Sequence, residues 1–400
     1  MVGMESKKKR IVLIAALAVL LIVGTMFAVI RSKSSPKSMP PAAETPAPTA
    51  VVTPEPSPEA TATPEPTVVP TATPAPTATP EPTPEPTPTP TPVLVYGPSE
   101  VTFPEEDPNL VSKDEAFSVI WLADTQAWVT KGSFAPKIPE VFGWIADTRE
   151  ELNTVAVVHT GDVVENGGNP VHWERINAGI AKLPQDLPFI VSAGNQDAGK
   201  KTLADGLWFS QDFVKNADPA KTYRNGEGFW QTVEAGNTKL LFVALAYEAM
   251  DDAGFAWMRG VMNDHPDHTG IVLAHSILSY NHKGRSLYTK MGERIVAEIA
   301  AQCDNVRLML CGHITGMTRH RETFPHPNGG TRCVEILRYN YQDFTAPKNM
   351  GFLRILRFDP AENTLEVFTY SPLTGRTHLS PTYRNEEHLL ITEIFPEPEA

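Results

Sequence analysis

Cysteine is scarce: Cys303, Cys311 and Cys333 are the only three in 400 residues. An odd and sparse set excludes a disulfide framework, and without a closely spaced cysteine pair a zinc finger is excluded as well. No cysteine closely follows the apolar run near the N-terminus, which argues against a lipid-modified anchor. Basic charge is also short. Against 47 Asp and Glu there are 34 Lys and Arg, giving a formal net charge of −13, and beyond residue 94 no basic cluster occurs. A nucleic-acid-binding surface is therefore not expected. From Pro36 to Pro92 there is no aromatic residue and almost no large aliphatic one. Such a stretch has nothing to bury, and its prolines cannot continue a helix or a ladder.

That proline tract is one part of an uneven chain. Residues 1–10 form a short basic tail ending in "KKKR", and residues 11–30 are uncharged and mostly aliphatic. About twenty apolar residues match the hydrocarbon core of a bilayer, and no small-x-small cleavage site follows. Residues 11–30 are therefore expected to be a retained transmembrane signal anchor, with a cleaved signal peptide as the alternative. The basic residues before the run place the N-terminus inside, so the rest of the chain would be extracellular on a single-pass membrane anchor. Residues 31–93, rich in Thr-Pro-Glu-Pro and Ala-Thr-Pro, read as a disordered linker of polyproline character. Fully extended, it would reach roughly 170 Å at about 3.1 Å per residue.

Residues 94–400 hold the folded domain, with a core over 116–372. Short β-branched runs alternate there with helical stretches, the pattern of an α/β domain. Strands are expected at "FSVIWLAD", "TVAVVHTGD", "FIVSAGNQD", "TKLLFVALAY", "GIVLAH" and "VRLMLCGH". Between them, Ile138, Val141, Phe142 and Ile145 share one helical face, as do Trp173, Ile176, Ile180 and Leu183. A Trp-containing helix is expected from about Asp252 to Asn263, and another carries Met291, Ile295, Val296 and Ile299. After "VRLMLCGH" helices stop, and "RCVEILRYNYQ", "GFLRILRFDP" and "NTLEVFTYSP" read as further strands. Two packed sheets with helices outside are the expected architecture. Trp121, Trp144, Trp173 and Trp257 fall in apolar patterns and read as core.

Five of the strands end alike, in side chains able to hold a metal. These are Asp124 with Gln126, Asp162 with Asn166, Asn195 with Gln196 and Asp197, His275, and His313. In an α/β fold, ligands sit in the crevice beyond the strand C-termini, so residues scattered along the sequence would meet there. Taken singly, each has an ordinary structural reading as a cap, turn residue or packed histidine. Their repetition at five strand ends favours a site. Carboxylate, amide oxygen and imidazole suit Mn, Fe(II), Zn or Mg.

The ordered set Asp-x-Gln, Gly-Asp, Gly-Asn-x-Asp, His and Gly-His resembles the calcineurin-like metallophosphoesterases. The resemblance extends to "GDVVEN", "RYNYQDF", "LRILRFDP" and "TYSP" and covers most of residues 116–372. It implies a metallophosphoesterase-type β-sandwich of two mixed sheets flanked by helices, acting on a phosphomonoester or phosphodiester through metal-activated water. By that resemblance Asp162 bridges two ions, while Asn195, His275 and His313 complete the second-metal site. Asp124 and Gln126 belong to the first. The catalytic set would be Asp162, Asn195, Gln196 and His275.

Three positions depart from the family pattern. Gln126 stands where many members have His, Thr315 replaces the second His of Gly-His-x-His, and Gln196 replaces a His that would protonate the leaving group. One tight ion and a weaker second one are therefore expected. The alternative is a degenerate, one-metal module that binds a phosphate-bearing or glycan-associated ligand without turnover. Of the nearby histidines, His282, His320 and His326 read as solvated loop residues, and His159 as a packed residue behind the Asp162 carboxylate.

Overall fold

The computed structural model describes residues 116–279, 287–326, 329–342, 351–377 and 388–396. The basic tail, the anchor, the linker and His282 lie outside the described residues. No helix among the described residues is long and apolar enough to cross a membrane.

Among the described residues, thirteen strands form two sheets. They are β1 (Phe117–Leu122), β2 (Thr154–His159), β3 (Phe189–Val191), β4 (Thr222–Tyr223), β5 (Gly228–Ala235), β6 (Thr238–Leu245), β7 (Thr269–Ala274), β8 (Val306–Cys311), β9 (Gly316–Pro325), β10 (Thr331–Asn340), β11 (Leu353–Asp359), β12 (Thr364–Tyr370) and β13 (Leu389–Thr392). One sheet runs β13-β12-β11-β1-β2-β3 and the other β4-β5-β6-β7-β8-β10-β9. Both are mixed: β1, β2 and β3 pair in parallel, as do β6, β7, β8 and β10, while the remaining pairs are antiparallel.

Parallel strands covered on both faces need apolar residues throughout, and β1, β7 and β8 are buried at every position. Alternation sorts each strand between two cores. In β1, Val119 and Trp121 point between the sheets, meeting Phe242, Leu273, Leu310 and Tyr339. Ile120 and Leu122 point outward, into a layer that includes Ile138, Phe142 and Trp173. Each large aliphatic or aromatic side chain removed from water in this way stabilises the fold by about 1.5–3 kcal/mol.

The helices follow the expected faces. Ile138, Val141, Phe142 and Ile145 are all buried in the helix Ile138–Asp147. In the helix Pro170–Ile180, Asn169 caps the N-terminus by accepting from Val171 N, and Trp173 and Ile176 face inward. The third helix spans Asp252–Asn263, capped by Asp251, whose side chain accepts from Gly254 N. The fourth begins as an α-helix, Lys290–Ile295, and widens into a π turn over Val296–Ala300. Trp121 and Trp173 are buried, whereas Trp144 and Trp257 are half-buried at the margin of the outer core.

Three features differ from the sequence expectations. β9 is a full strand, and it holds His320, expected as a solvated loop residue. The ring of His320 is buried, with Nε2 at 3.1 Å from Glu322 Oε1. The region between Asp197 and Thr238 contains β4 and β5, which extend the second sheet past β6. Finally, β6 ends at Leu245, so Tyr247 lies beyond the strand rather than inside it.

Candidate metal centre

The parallel strands of the two sheets deliver their C-terminal ends to one place. From the first sheet, β1 leads to Asp124 and Gln126, β2 to Asp162, and β3 to Asn195; from the second, β7 leads to His275 and β8 to His313. The backbone makes three of these positions unusual. Asp124 and Asp162 adopt φ of 51°, and His313 adopts φ of 66°. For side chains with a Cβ this left-handed region costs on the order of 1–2 kcal/mol each. Such outliers persist where the surroundings over-determine them, commonly at functional sites.

Two glycines allow the strand ends to approach so closely. A Cβ on Gly194 would lie 2.2 Å from Asp162 Oδ1 and 2.4 Å from Asp162 N. On Gly312 it would lie 2.0 Å from Asp124 Oδ2. Gly194 therefore keeps room for a carboxylate from the neighbouring strand of its own sheet, and Gly312 for one that arrives from the other sheet.

His275 is the hub. Its Nδ1 is 2.9 Å from the carbonyl of Thr160, which can only accept, so Nδ1 carries a proton. Its Nε2 faces Asp162 Oδ2 at 3.2 Å, Asn195 Oδ1 at 3.2 Å and His313 Nδ1 at 3.1 Å. A single proton on Nε2 cannot serve three acceptors at once. The ligand atoms of Asp162, His275 and His313 all lie within 4.8 Å of one another. A divalent cation with a nitrogen and oxygen donor set suits this arrangement.

The local charge agrees. Burial disfavours a charged His275, yet the Asp162 carboxylate, its hydrogen bond and Asp124 hold the imidazole up at about 9. Burial and the nearby Asp162 charge, opposed by His275, push Asp124 well above the ordinary carboxylate range. Burial also opposes ionisation of Asp162, but His275, the Gln196 N–H and His313 bring it below its usual value. The site is thus a buried concentration of carboxylates with one imidazole as counter-charge, the condition that a bound cation relieves.

Asp124 and Gln126, the residues expected at a first metal, bring oxygen atoms to the same place. Both oxygens of Asp124 accept from His313 N, at 3.0 and 3.2 Å. Gln126 Nε2 donates to Asp162 Oδ2 at 3.1 Å, while its Oε1 is buried and has no hydrogen-bond partner. An orphaned amide oxygen beside two carboxylates offers oxygen ligation alone, which suits a hard ion. Thr315 is half-buried in the turn before β9.

Gln196 contributes through its backbone, N–H donating to Asp162 Oδ1 at 2.9 Å. Its half-buried side chain makes no hydrogen bond to a described residue. Asp197 is spent on the turn: Oδ1 accepts from Val164 N at 2.9 Å and Oδ2 from Gly194 N at 2.8 Å. Asn166 turns away to accept from Gly168 N at 2.9 Å.

Outer groups fix these side chains in place. Thr125 Oγ1 donates to Val163 O at 2.9 Å, so the 3.1 Å contact with His159 Nε2 must be donated by the imidazole. Nδ1 of His159 then accepts from Gly161 N at 3.1 Å, next to Asp162. Burial, with repulsion from His275, lowers His159 to about 3, and it is neutral in this role. Asn340, at the end of β10, donates from Nδ2 to His313 O at 3.1 Å. One further residue escaped the sequence reading. Tyr247, past the end of β6, lays its ring 5.9 Å from that of His313 and 6.1 Å from that of His275. Its signal was the end of β6, a further parallel strand, whose own carboxylate, Glu248, is taken up by Leu203 N.

A Bacillus subtilis (strain 168) protein, "Uncharacterized protein YvnB", is 28% identical over 308 residues, which are 72% of this chain and 23% of that relative. The chain therefore spans under a quarter of that relative's length. Among solved structures, purple acid phosphatase PPD1 from yellow lupin (Lupinus luteus) seeds aligns with a TM-score of 0.45 and 16% identity. The alignment covers 72% of this chain and 55% of that one. A sequence model described as calcineurin-like phosphoesterase matches residues 117–316, half of the chain, from the first residue of β1 to the first residue of β9. The chain belongs to the calcineurin-like phosphoesterase family.

Proposed function

We propose that the chain is a metal-dependent hydrolase of phosphate esters, working outside the cytoplasm. The observation that carries this reading is the convergence on His275 Nε2 of Asp162 Oδ2, Asn195 Oδ1 and His313 Nδ1, all at 3.1–3.2 Å. These four residues would hold the tighter ion. Asp124, Gln126 and Asp162 offer oxygen donors for a second. When bound, such an ion supplies Lewis acidity to a phosphoryl oxygen and makes water acidic enough to act as a nucleophile at neutral pH.

The protein's own groups do the rest. Thr160 O fixes the tautomer of His275, and the Gln196 N–H keeps one Asp162 oxygen in place, leaving the other for the site. Gln196 carries no titratable proton. It can orient a phosphoryl oxygen through its amide but cannot protonate a leaving alkoxide, a step typically worth about 10²- to 10⁴-fold. Esters with a good leaving group, aryl monoesters or diesters among them, are the substrates that tolerate this loss.

A second reading has one specific observation behind it: Gln126 Nε2 donates to Asp162 Oδ2, where the family pattern would have an imidazole lone pair. A one-metal module that binds a phosphate-bearing ligand without turnover matches that feature. The two readings separate when the Mn-loaded chain is assayed on aryl mono- and diesters beside an Asp162→Ala control. Turnover above the control supports the hydrolase, and bound metal without turnover supports the module. The location rests on the apolar run 11–30 and the spacer 31–93. Protease added to intact cells should release the folded domain, and full protection of the domain would refute it.

A further inference from the structure

The two sheets contribute to the site with an approximate threefold correspondence. In the first sheet the ends of β1, β2 and β3 carry Asp124, Asp162 and Asn195. In the second, the parallel neighbours β6, β7 and β8 end beside Tyr247, His275 and His313. The register pairs Leu245 of β6 with Ala274 of β7, which sets Tyr247 at the level of the residues just after His275. At the end of β6 the carboxylate of Glu248 is turned aside to accept from Leu203 N, and Tyr247 is the side chain laid against the site.

Its position is fixed from both sheets. Tyr247 N donates to Ala193 O at 2.9 Å, two residues before Asn195. Ser192 Oγ donates to Leu245 O, also at 2.9 Å, two residues before Tyr247. The ring rests tilted by 35° against His313 and edge-on to His275 at 82°. It is half-buried, and its hydroxyl makes no hydrogen bond to any described residue. A phenol held rigidly against two imidazoles with its polar end unengaged is an apolar body with a donor to spare.

We propose that Tyr247 is a substrate-binding residue, its hydroxyl donating a hydrogen bond to an oxygen of the phosphoryl group seated beside His275 and His313. This inference rests on the phosphoesterase reading for the identity of the ligand. It supplies a neutral donor at a site rich in carboxylates, where Gln196 replaces an imidazole. A hydrogen bond to a charged oxygen is stronger than one between neutral groups, so its loss is measurable.

The test uses the full chain, in mild detergent and loaded with Mn, with inorganic phosphate as the probe. Phosphate affinity is measured by calorimetry and metal content by elemental analysis, for the natural protein and Tyr247→Phe. The expected result is a roughly ten- to hundredfold weaker phosphate affinity in the variant, with metal content unchanged. Equal phosphate affinity in both proteins overturns the proposal. So does a variant that loses metal in step with phosphate, because the hydroxyl would then serve the metal site. A natural protein that takes up Mn but binds no phosphate overturns it as well. Tyr247-dependent phosphate binding without ester hydrolysis would refute the hydrolase reading while leaving this inference standing.

Discussion

His275 and His313 meet nitrogen to nitrogen, with Nε2 of the first 3.1 Å from Nδ1 of the second. Because Thr160 O holds the Nδ1 proton of His275, its Nε2 is the atom turned to the cluster, and a divalent cation taking the place of the Nε2 proton would lie between the two rings. His275→Ala should weaken Mn binding by more than the roughly 10- to 100-fold that even outer-partner losses cost. Titration of the apoprotein with Mn checks this, and unchanged affinity would show that the ion sits elsewhere.

The two close-approach glycines separate the two halves of the site. Gly194→Ala drives a methyl group into Asp162, the carboxylate shared by both donor sets, and should abolish tight metal binding. Gly312→Ala presses on Asp124 Oδ2 instead and should cost the weaker, oxygen-ligated ion first. Metal stoichiometry at increasing Mn concentration distinguishes the two variants.

His159 gives the fold a dependence on pH. In the unfolded chain its imidazole takes up a proton near pH 6.5, and in the folded one not until about 3. Between those values the unfolded state binds more protons, so the contribution of His159 is complete above pH 6.5 and is lost as the pH falls. Linkage sets the loss at pH 4 at about 3 kcal/mol. His159→Asn keeps a small polar side chain without that titration. Denaturant unfolding of the metal-free proteins should therefore show a shallower decline from pH 6.5 to 4 in the variant, and parallel curves would contradict the assignment.

Restoring the departed histidines should restore chemistry. Thr315→His adds an imidazole two residues after His313, and Gln196→His adds a titratable proton beside Asp162. The double variant should hold more metal and hydrolyse alkyl esters faster, by up to the roughly 10²- to 10⁴-fold that general acid catalysis is worth. A variant with more metal and an unchanged rate would show that position 196 does not face the leaving group.

Much of this fold was legible because parallel strands buried on both faces leave an apolar record, as in β7 and β8. The amphipathic helices were equally plain, the one spanning Asp252–Asn263 lying where it was expected. β9 was missed for a physical reason: of its four buried positions, Met317, His320, Glu322 and Phe324, the middle two are a polar pair that breaks the hydrophobic alternation. The site divided along similar lines. Asp124, Asp162, His275 and His313 carry chemistry in their residue type, whereas Tyr247 reads as the end of an apolar run. The engagement of Asp124 with His313 N, across 189 positions, depends on two sheets meeting and has no trace in local sequence.

If the cluster around His275 holds a divalent ion for phosphate-ester hydrolysis, ion and turnover must be lost together. Metal content measured alongside Mn-dependent hydrolysis of an aryl phosphodiester, for the natural chain and Asp162→Ala, decides this. The natural protein should hold at least one ion per chain and show turnover that rises with Mn, and the variant should lose both. A natural chain that binds no divalent ion, or one whose hydrolysis survives Asp162→Ala, would contradict it.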